Sequence, residues 1–294
     1  MSIFRAAAIQ MRSGTDPQAN IAVLERLVGE AAAKGAVYVQ TPEMTGAVQR
    51  SREGLAAVLR DEENDLVVRA ASRLAAQHGI HLHIGSTAIA VEGGKIANRA
   101  FLLGPDGKKI ASYDKIHMFD VDLDNGESWR ESAVYAAGND TVIADLPFGR
   151  MGLAICYDIR FPQLFRAQAE VGASVLTAPA AFTRQTGEAH WHVLQRARAI
   201  ENGAFVISAA QGGLHEDGRE TYGHSLIVSP WGEVLAEADH DEPAVIVADI
   251  DTAESAAARR KVPNLKNARP FGVRVAGGEA APKAGEKKES IAAS

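Results

Sequence analysis

Between residues 3 and 40 the chain passes through an apolar strand, a capped amphipathic helix and a second apolar strand, and that order leaves few folds open. Ile3 to Gln10 is strand-like, Asp16 with Pro17 supplies an N-cap and a first helical residue, and Ile21, Leu24, Leu27 and Val28 recur at helical period until Gly35. Ala36 to Gln40 is the next apolar run, ending in Thr41-Pro42-Glu43. Strand, helix and strand in succession form a crossover unit, which places the chain in the α/β class.

The rest of the chain mixes hairpins into this pattern. A helix is expected from about Glu62 to Gln77, followed by strands Ile80–Ser86 and Asn98–Leu103 around the turn Glu92-Gly93-Gly94-Lys95. Gly104-Pro105-Asp106-Gly107 is a second turn, leading through Ile110–Tyr113 to Lys115. Gly46–Asp65 is polar, with room for one short helix, and Asp120–Gly138 reads as a long ordered loop. Thr141–Leu146 and Met151–Ile155 flank Pro147-Phe148-Gly149 as a hairpin, and a helix starts at Pro162. Strand Ser174–Ala178, helix Glu188–Asn202 and strands Ala204–Ala210, His224–Ser229 and Ala244–Asp249 complete the pattern. About ten strands and four principal helices in this mixture suit a four-layer α-β-β-α sandwich, two stacked mixed sheets with helices outside, better than a simple dinucleotide-binding fold. No repeat of 20–50 residues is visible. One domain is expected over 1–275, and the small, polar, charged tail 276–294 is expected to be disordered.

The formal charge of −6 argues against nucleic acid or an anionic membrane as a main partner. A single cysteine allows no internal disulfide and fits a reducing compartment. The N-terminal residues lead straight into a strand, and no segment is apolar for long enough to span a membrane. A cytoplasmic protein acting on a small molecule is the expectation.

Three reactive residues follow apolar strands in the same manner. Glu43 follows Val37-Tyr38-Val39, Lys115 follows Ile110 to Tyr113, and Cys156 follows Leu153-Ala154-Ile155 on a turn that displays its thiol. Sites in α/β sheets form where the carboxyl ends of strands converge. A cysteine is the strongest nucleophile in the chain once a base takes its proton, and Glu43, with a raised pKa, could take that proton and return it to a leaving amine. Lys115 would offer fixed positive charge to a tetrahedral oxyanion. Each residue also has a plain structural use: Cys156 as a small core residue, Glu43 as a helix cap, Lys115 as a solvated lysine.

Pro42-Glu43, Tyr113-Asp114-Lys115-Ile116-His117 and Cys156-Tyr157-Asp158-Ile159-Arg160-Phe161-Pro162 together resemble the three signature segments of the nitrilase-like carbon–nitrogen hydrolase superfamily, in its order and at its approximate spacing. The resemblance covers about Ile3 to Pro270. It implies a Glu-Lys-Cys triad of Glu43, Lys115 and Cys156, a second glutamate that orients the lysine, matched best by Glu131 with Glu127 as its rival, and the backbone N–H of Tyr157 as an oxyanion donor. Ala189 to Glu201 resembles the branch that hydrolyses small ω-amides. Within that branch, Ala209 to His215 and Arg219 to Ser225 are more similar to the amidases of deaminated glutathione than to those of 2-oxoglutaramate and 2-oxosuccinamate. The resemblance further implies a thioester intermediate, no metal or organic cofactor, and a homodimer or higher homo-oligomer.

Arg160, Phe182 and His117 are candidates for substrate contact. Two readings of Arg160 stand side by side: a clamp on a substrate carboxylate, and an ion pair with Asp158 that holds the turn. Three rival classes remain. A Cys-His enzyme would pair Cys156 with His117, His190, His192 or His224. A metal protein would use His81-x-His83, on a strand expected to be partly exposed, or His190-x-His192, but no third ligand stands at a familiar spacing. A non-catalytic binding protein would keep the fold alone. The helix Glu188–Asn202 covers either its own sheet or a second subunit.

Overall fold

The computed structural model describes residues 3–123, 126, 128–274 and 276. In chain order the elements are β1 (Ile3–Gln10), α1 (Pro17–Ala33), β2 (Tyr38–Gln40), α2 (Arg52–Val58), α3 (Leu66–His78), β3 (His81–Val91), β4 (Lys95–Leu103), β5 (Lys109–Asp114), β6 (Asp120–Asp122), β7 (Ser128–Arg130), β8 (Val142–Leu146) and β9 (Gly149–Leu153). They continue with α4 (Pro162–Glu170), β10 (Val175–Thr177), α5 (Arg184–Asn202), β11 (Phe205–Ser208), β12 (Gly212–Leu214), β13 (Glu220–Tyr222), β14 (Leu226–Val228), β15 (Val234–Glu237), β16 (Ala244–Asp251), α6 (Ala253–Lys261) and α7 (Asn264–Asn267).

Twelve of these strands form two six-stranded mixed sheets, ordered β16-β1-β2-β3-β4-β5 and β15-β14-β11-β10-β9-β8. The second sheet repeats the first. From β16 to β5 the neighbours pair antiparallel, parallel, parallel, antiparallel, antiparallel, and from β8 to β15 they do so again. Each parallel trio is connected by helices, with α1 and α3 in the first half and α4 and α5 in the second. The repeating unit is half the domain, too long to show as a short sequence repeat.

Side-chain alternation assigns the layers. Along β1, Ala6 and Ala8 join the core shared with Met151, Leu153 and Leu176 of the second sheet, whereas Ala7 and Ile9 join Leu24, Leu27 and Val28 of α1. Along β4, Ala100 and Leu102 face the other sheet, and Phe101 and Leu103 pack with Val67, Ala71 and Leu74 of α3. Leu164 and Phe165 of α4 and Trp191 and Ala199 of α5 cover the second sheet. The result is the α-β-β-α sandwich. A strand covered on both faces is apolar at nearly every position, which is why β1 reads as a continuous run.

Several details depart from expectation. His81 and His83 do not lie on a partly exposed strand; both are buried, His81 edge-on to Phe148 and His83 bonded to the Tyr38 hydroxyl. Burial without an ionic partner lowers the His83 pKa to about 3, so the ring is neutral. The stretch 120–138 holds the hairpin β6–β7 and a short 3₁₀ turn, Glu131–Ala133. Helix α5 begins four residues before Glu188 and takes in Gly187, a poor helix former, at a position where a Cβ would run into the Tyr222 side chain at 2.3 Å. The expected tail lies outside the described residues apart from Ala276, as does Glu127. No described helix is long and apolar enough to cross a membrane.

One glycine fixes the approach of two segments. β3 shifts register against β4 between Ile84 and Thr87, and a Cβ on Gly85 would lie 2.2 Å from the carbonyl oxygen of Thr41 and 2.6 Å from that of Pro42. Those two residues carry Glu43 into the site. Gly85→Ala is expected to lower stability by about 1–3 kcal/mol in urea unfolding and to reduce turnover beyond the loss of folded protein, because the clash displaces the backbone under Glu43.

Candidate active site

Strand direction brings the reactive residues together. β5 is antiparallel to β4 and β4 to β3, so β5 points the same way as β2, and Lys115 leaves the same edge of the sheet as Glu43. Cys156 lies just beyond the end of β9 in the facing sheet. These three residues, with Glu131 from the β6–β7 segment, line one cavity of about 280 Å³.

The turn at Cys156 is held by its neighbours. Its φ of +47° is in the left-handed region, which costs a residue with a Cβ about 1–3 kcal/mol. The Cys156 N–H donates to the Pro179 carbonyl at 2.9 Å. Beneath the turn, the fully buried Asp158 carboxylate accepts from Ile155 N (2.9 Å), the Tyr113 hydroxyl (2.7 Å), and both N (3.1 Å) and Nδ1 (2.7 Å) of His117. Asp158 therefore ties the cysteine turn to the segment that carries Lys115. The thiol is buried rather than displayed, and Cys156 lines the cavity.

Around the thiol the charges are dense. Lys115 Nζ donates to Glu43 Oε1 at 2.9 Å and to Glu131 Oε1 and Oε2 at 3.0 and 2.9 Å. Asn98 Nδ2 bridges the same carboxylates, at 2.9 Å to Glu43 and 3.2 Å to Glu131. Glu43 Oε2 accepts from Ala181 N at 2.9 Å, and the Glu43 carboxylate lies near enough to the Cys156 thiol to act on its pKa. Glu131 is fixed further by Phe119 N at 2.6 Å.

The pKa directions follow from this geometry. Burial acts to raise the Glu43 carboxyl, but the Lys115 ammonium and the bonds from Cys156, Lys115 and Asn98 outweigh it, so the pKa is lowered, not raised as the sequence suggested. Burial opposes the charge of Lys115, and Glu131 and Glu43 more than compensate, holding its pKa well above normal. Burial and then the Glu43 charge push the Cys156 thiol well above its ordinary 9.0. The resting site holds a neutral thiol beside an ionised carboxylate and a charged lysine.

The other expected contacts divide. Tyr157 and Phe182 line the cavity. Arg160 and His117 do not. The Arg160 guanidinium lies 5.3 Å from the Phe182 ring and 6.0 Å from that of Tyr157, and bonds His190 Nδ1 at 3.2 Å. It packs behind the wall, and Asp158, its supposed ionic partner, is taken up by Tyr113, His117 and Ile155. His117 stacks on Phe161 with ring centroids 3.5 Å apart and serves Asp158. The members of the second histidine pair point apart: His190 turns to Arg160, and His192 turns to Glu237 at 2.7 Å. Among the described residues one group could hold a cation, His192, His224 and Glu237, and none of these lines the cavity.

Four contributors were not singled out as site residues from sequence. Asn98 is a strand residue opposite Ala88 and has no motif around it. Asp158 lies inside the cysteine segment, where its burial was invisible. Tyr135 and Arg219 reach the cavity from separate loops.

The sequence pattern of the carbon–nitrogen hydrolases matches residues 5–260. The chain belongs to the carbon–nitrogen hydrolase family. It is 37% identical over 275 residues to the deaminated glutathione amidase of Synechocystis sp., covering 91% of this chain and 98% of that protein. It is 34% identical over 271 residues to the omega-amidase NIT2 of Homo sapiens, covering 92% and 96%. Among solved structures it resembles the C. elegans NitFhit protein, with a TM-score of 0.83 and 32% identity, over 92% of this chain and 66% of that one. This hydrolase thus acts on carbon–nitrogen bonds other than peptide bonds.

The electrostatics give a direct expectation for thiol chemistry. Glu43→Gln removes one charge that raises the Cys156 pKa and leaves Lys115, which lowers it. Iodoacetamide labelling followed by mass spectrometry across pH is expected to show a midpoint above 9.0 in the wild type. In the variant the midpoint moves down and labelling at pH 7 is faster.

Proposed function

We propose that the protein is an amidase of small 2-oxo-acid amides that works through a thioester on Cys156, with deaminated glutathione as its substrate. The observation that carries the reading is the buried Lys115 ammonium clasped by Glu43 and Glu131, with Cys156 lining the same cavity. In this scheme Glu43 takes the Sγ proton as Sγ attacks the amide carbon. A lowered Glu43 and a raised Cys156 make that transfer uphill in the resting site, so it accompanies carbon–sulfur bond formation rather than preceding it. Moving the proton from Sγ to Glu43 Oε leaves the total charge around Lys115 unchanged.

The carbonyl oxygen, now an oxyanion, is held by Lys115 Nζ and the Tyr157 N–H. As the tetrahedral intermediate collapses, the carbon–nitrogen bond breaks and Glu43 gives its proton to the departing amine. The acyl group stays on Sγ. Glu43 then takes a proton from an incoming water, which adds to the thioester carbon; collapse of the second intermediate expels the thiolate and frees the acid, and Glu43 returns the proton to Sγ. Glu131 and Asn98 touch no reacting atom in this scheme. They position Lys115 and Glu43.

The identity to the Synechocystis amidase favours deaminated glutathione, and the identity to human omega-amidase favours 2-oxoglutaramate or 2-oxosuccinamate as a second reading. Steady-state kinetics on deaminated glutathione, 2-oxoglutaramate, a simple nitrile and a carbamoyl amino acid decide between them. Deaminated glutathione is expected to show the highest kcat/KM, and preference for the nitrile would overturn the amidase reading while leaving the triad in place. Cys156→Ser and Glu43→Gln are each expected to lower kcat by about 10³-fold or more, as loss of a nucleophile or its base does, with circular dichroism unchanged.

A further inference from the structure

A chain of net charge −6 gathers four arginines, Arg50, Arg52, Arg130 and Arg219, on the wall of one cavity. Their partners differ. Arg130 is neutralised by Asp122 through two bonds of 2.9 and 2.8 Å. Lys115, deeper in, is occupied by Glu43 and Glu131. Among the described residues Arg219 has no such partner: the carboxylate oxygen it meets is Asp217 Oδ2 at 3.8 Å, beyond hydrogen-bond distance, and its Nε is buried without an acceptor. Its side chain is only 16% exposed. An orphaned donor of a guanidinium is costly to bury, by about 1–3 kcal/mol or more, unless a ligand completes it.

Arg219 packs against an aromatic ring that a second arginine shares. The guanidinium carbon lies 4.6 Å from the Trp129 ring, and that of Arg50 lies 5.0 Å from the same ring. Two guanidinium groups against one indole bring two positive charges near each other with no carboxylate at hydrogen-bond distance from either, among the described residues. Tyr135 stands beside them. It is within electrostatic reach of Glu131, Arg219 and Glu43, and its hydroxyl has no protein partner among the described residues. A planar fork, a second cation and a free hydroxyl on a cavity wall are the donor set that recognises a carboxylate.

We propose that Arg219, supported by Arg50 and Tyr135, is the subsite that binds a carboxylate of the substrate. The proposal rests on the amidase reading for the identity of that substrate. It replaces Arg160, whose guanidinium packs behind Phe182, as the group that selects acids. Asp217 Oδ1 accepts from the backbone N of Arg219 at 2.9 Å and so sets the hairpin loop between β12 and β13 rather than closing the fork. The carboxylate belongs either to the acyl part of the amide or to its leaving group, and both present the same chemistry to Arg219.

The test compares wild type, Arg219→Met and Arg219→Lys on four amides. 2-Oxoglutaramate carries a carboxylate on the acyl side, N-propionylglycine carries one on the leaving side, deaminated glutathione carries both, and propionamide carries none. Arg219→Met is expected to lower kcat/KM on at least one acid by about 10- to 100-fold relative to its effect on propionamide, chiefly through KM, as loss of a charge-assisted pair does. Arg219→Lys recovers part of that loss. The acid that suffers identifies the side: 2-oxoglutaramate for the acyl carboxylate, N-propionylglycine for the leaving group. Equal losses on propionamide and the acids, or no loss, would overturn the proposal. Calorimetric binding of 2-oxoglutarate to Cys156→Ser, with and without Arg219→Met, needs no turnover. Weaker binding without Arg219 supports the subsite even if none of the amides is hydrolysed and the amidase reading falls, and equal binding rejects it.

Discussion

A lysine ammonium with 2% of its side chain exposed cannot stand in a protein core unless carboxylates surround it, and Lys115 meets that requirement with two. Removing either partner from such a cluster leaves an uncompensated buried charge, a loss of about 3–5 kcal/mol in comparable cases. The arrangement is therefore weak as a source of stability and strong as a source of geometry. Loss of Glu43 leaves Lys115 with Glu131 alone, and the charge of Glu43 acts on the Cys156 thiol. The position of the thiol, the ionisation of the carboxylate and the charge facing the cavity all follow from this one contact.

The sandwich supplies the means. Two sheets with the same sequence of strand directions, stacked face to face, turn the carboxyl ends of their strands towards one cavity. The first sheet contributes Glu43 and Lys115 from strands that run the same way, and the second contributes Cys156. Asp158 joins the two halves at this point through Tyr113 and His117 from the Lys115 side. Gly85 lets the Thr41-Pro42 backbone lie directly on β3. These contacts use backbone atoms and buried side chains, so Glu43, Lys115 and Cys156 are set by the strand ends of the fold.

Much of this was legible in the chain. The alternation of apolar runs with a capped helix marks the α/β class, and the residues after three apolar runs are the ones that meet. What the sequence did not disclose has physical causes. Periodicity tells which residues are apolar, not which face a polar residue takes when both faces are covered, so buried His81 and His83 were read as half exposed. A pKa depends on partners brought from far along the chain, so burial alone suggested a raised Glu43 where Lys115 and Asn98 lower it. Asn98 is one polar residue in a strand, and only its register against β3 sends it to Glu43 and Glu131. Arg160 belongs to the cysteine segment but packs against Phe182 and Tyr157 and bonds His190, contacts that come from elsewhere in the fold. Arg219 and Tyr135 lie on separate loops with no periodic signal, and loop conformation is what local patterning specifies least.

The account stands on a covalent bond between substrate and Cys156, which a chemical quench can reveal. Wild-type protein mixed with deaminated glutathione, quenched in acid within the first turnovers and digested, is expected to yield the Cys156 peptide with the mass of the 2-oxoglutaryl group, labile to hydroxylamine as a thioester is. The same mass found on another residue, or substrate turnover with the Cys156 peptide unmodified at every quench time and no burst of amine release, would contradict it.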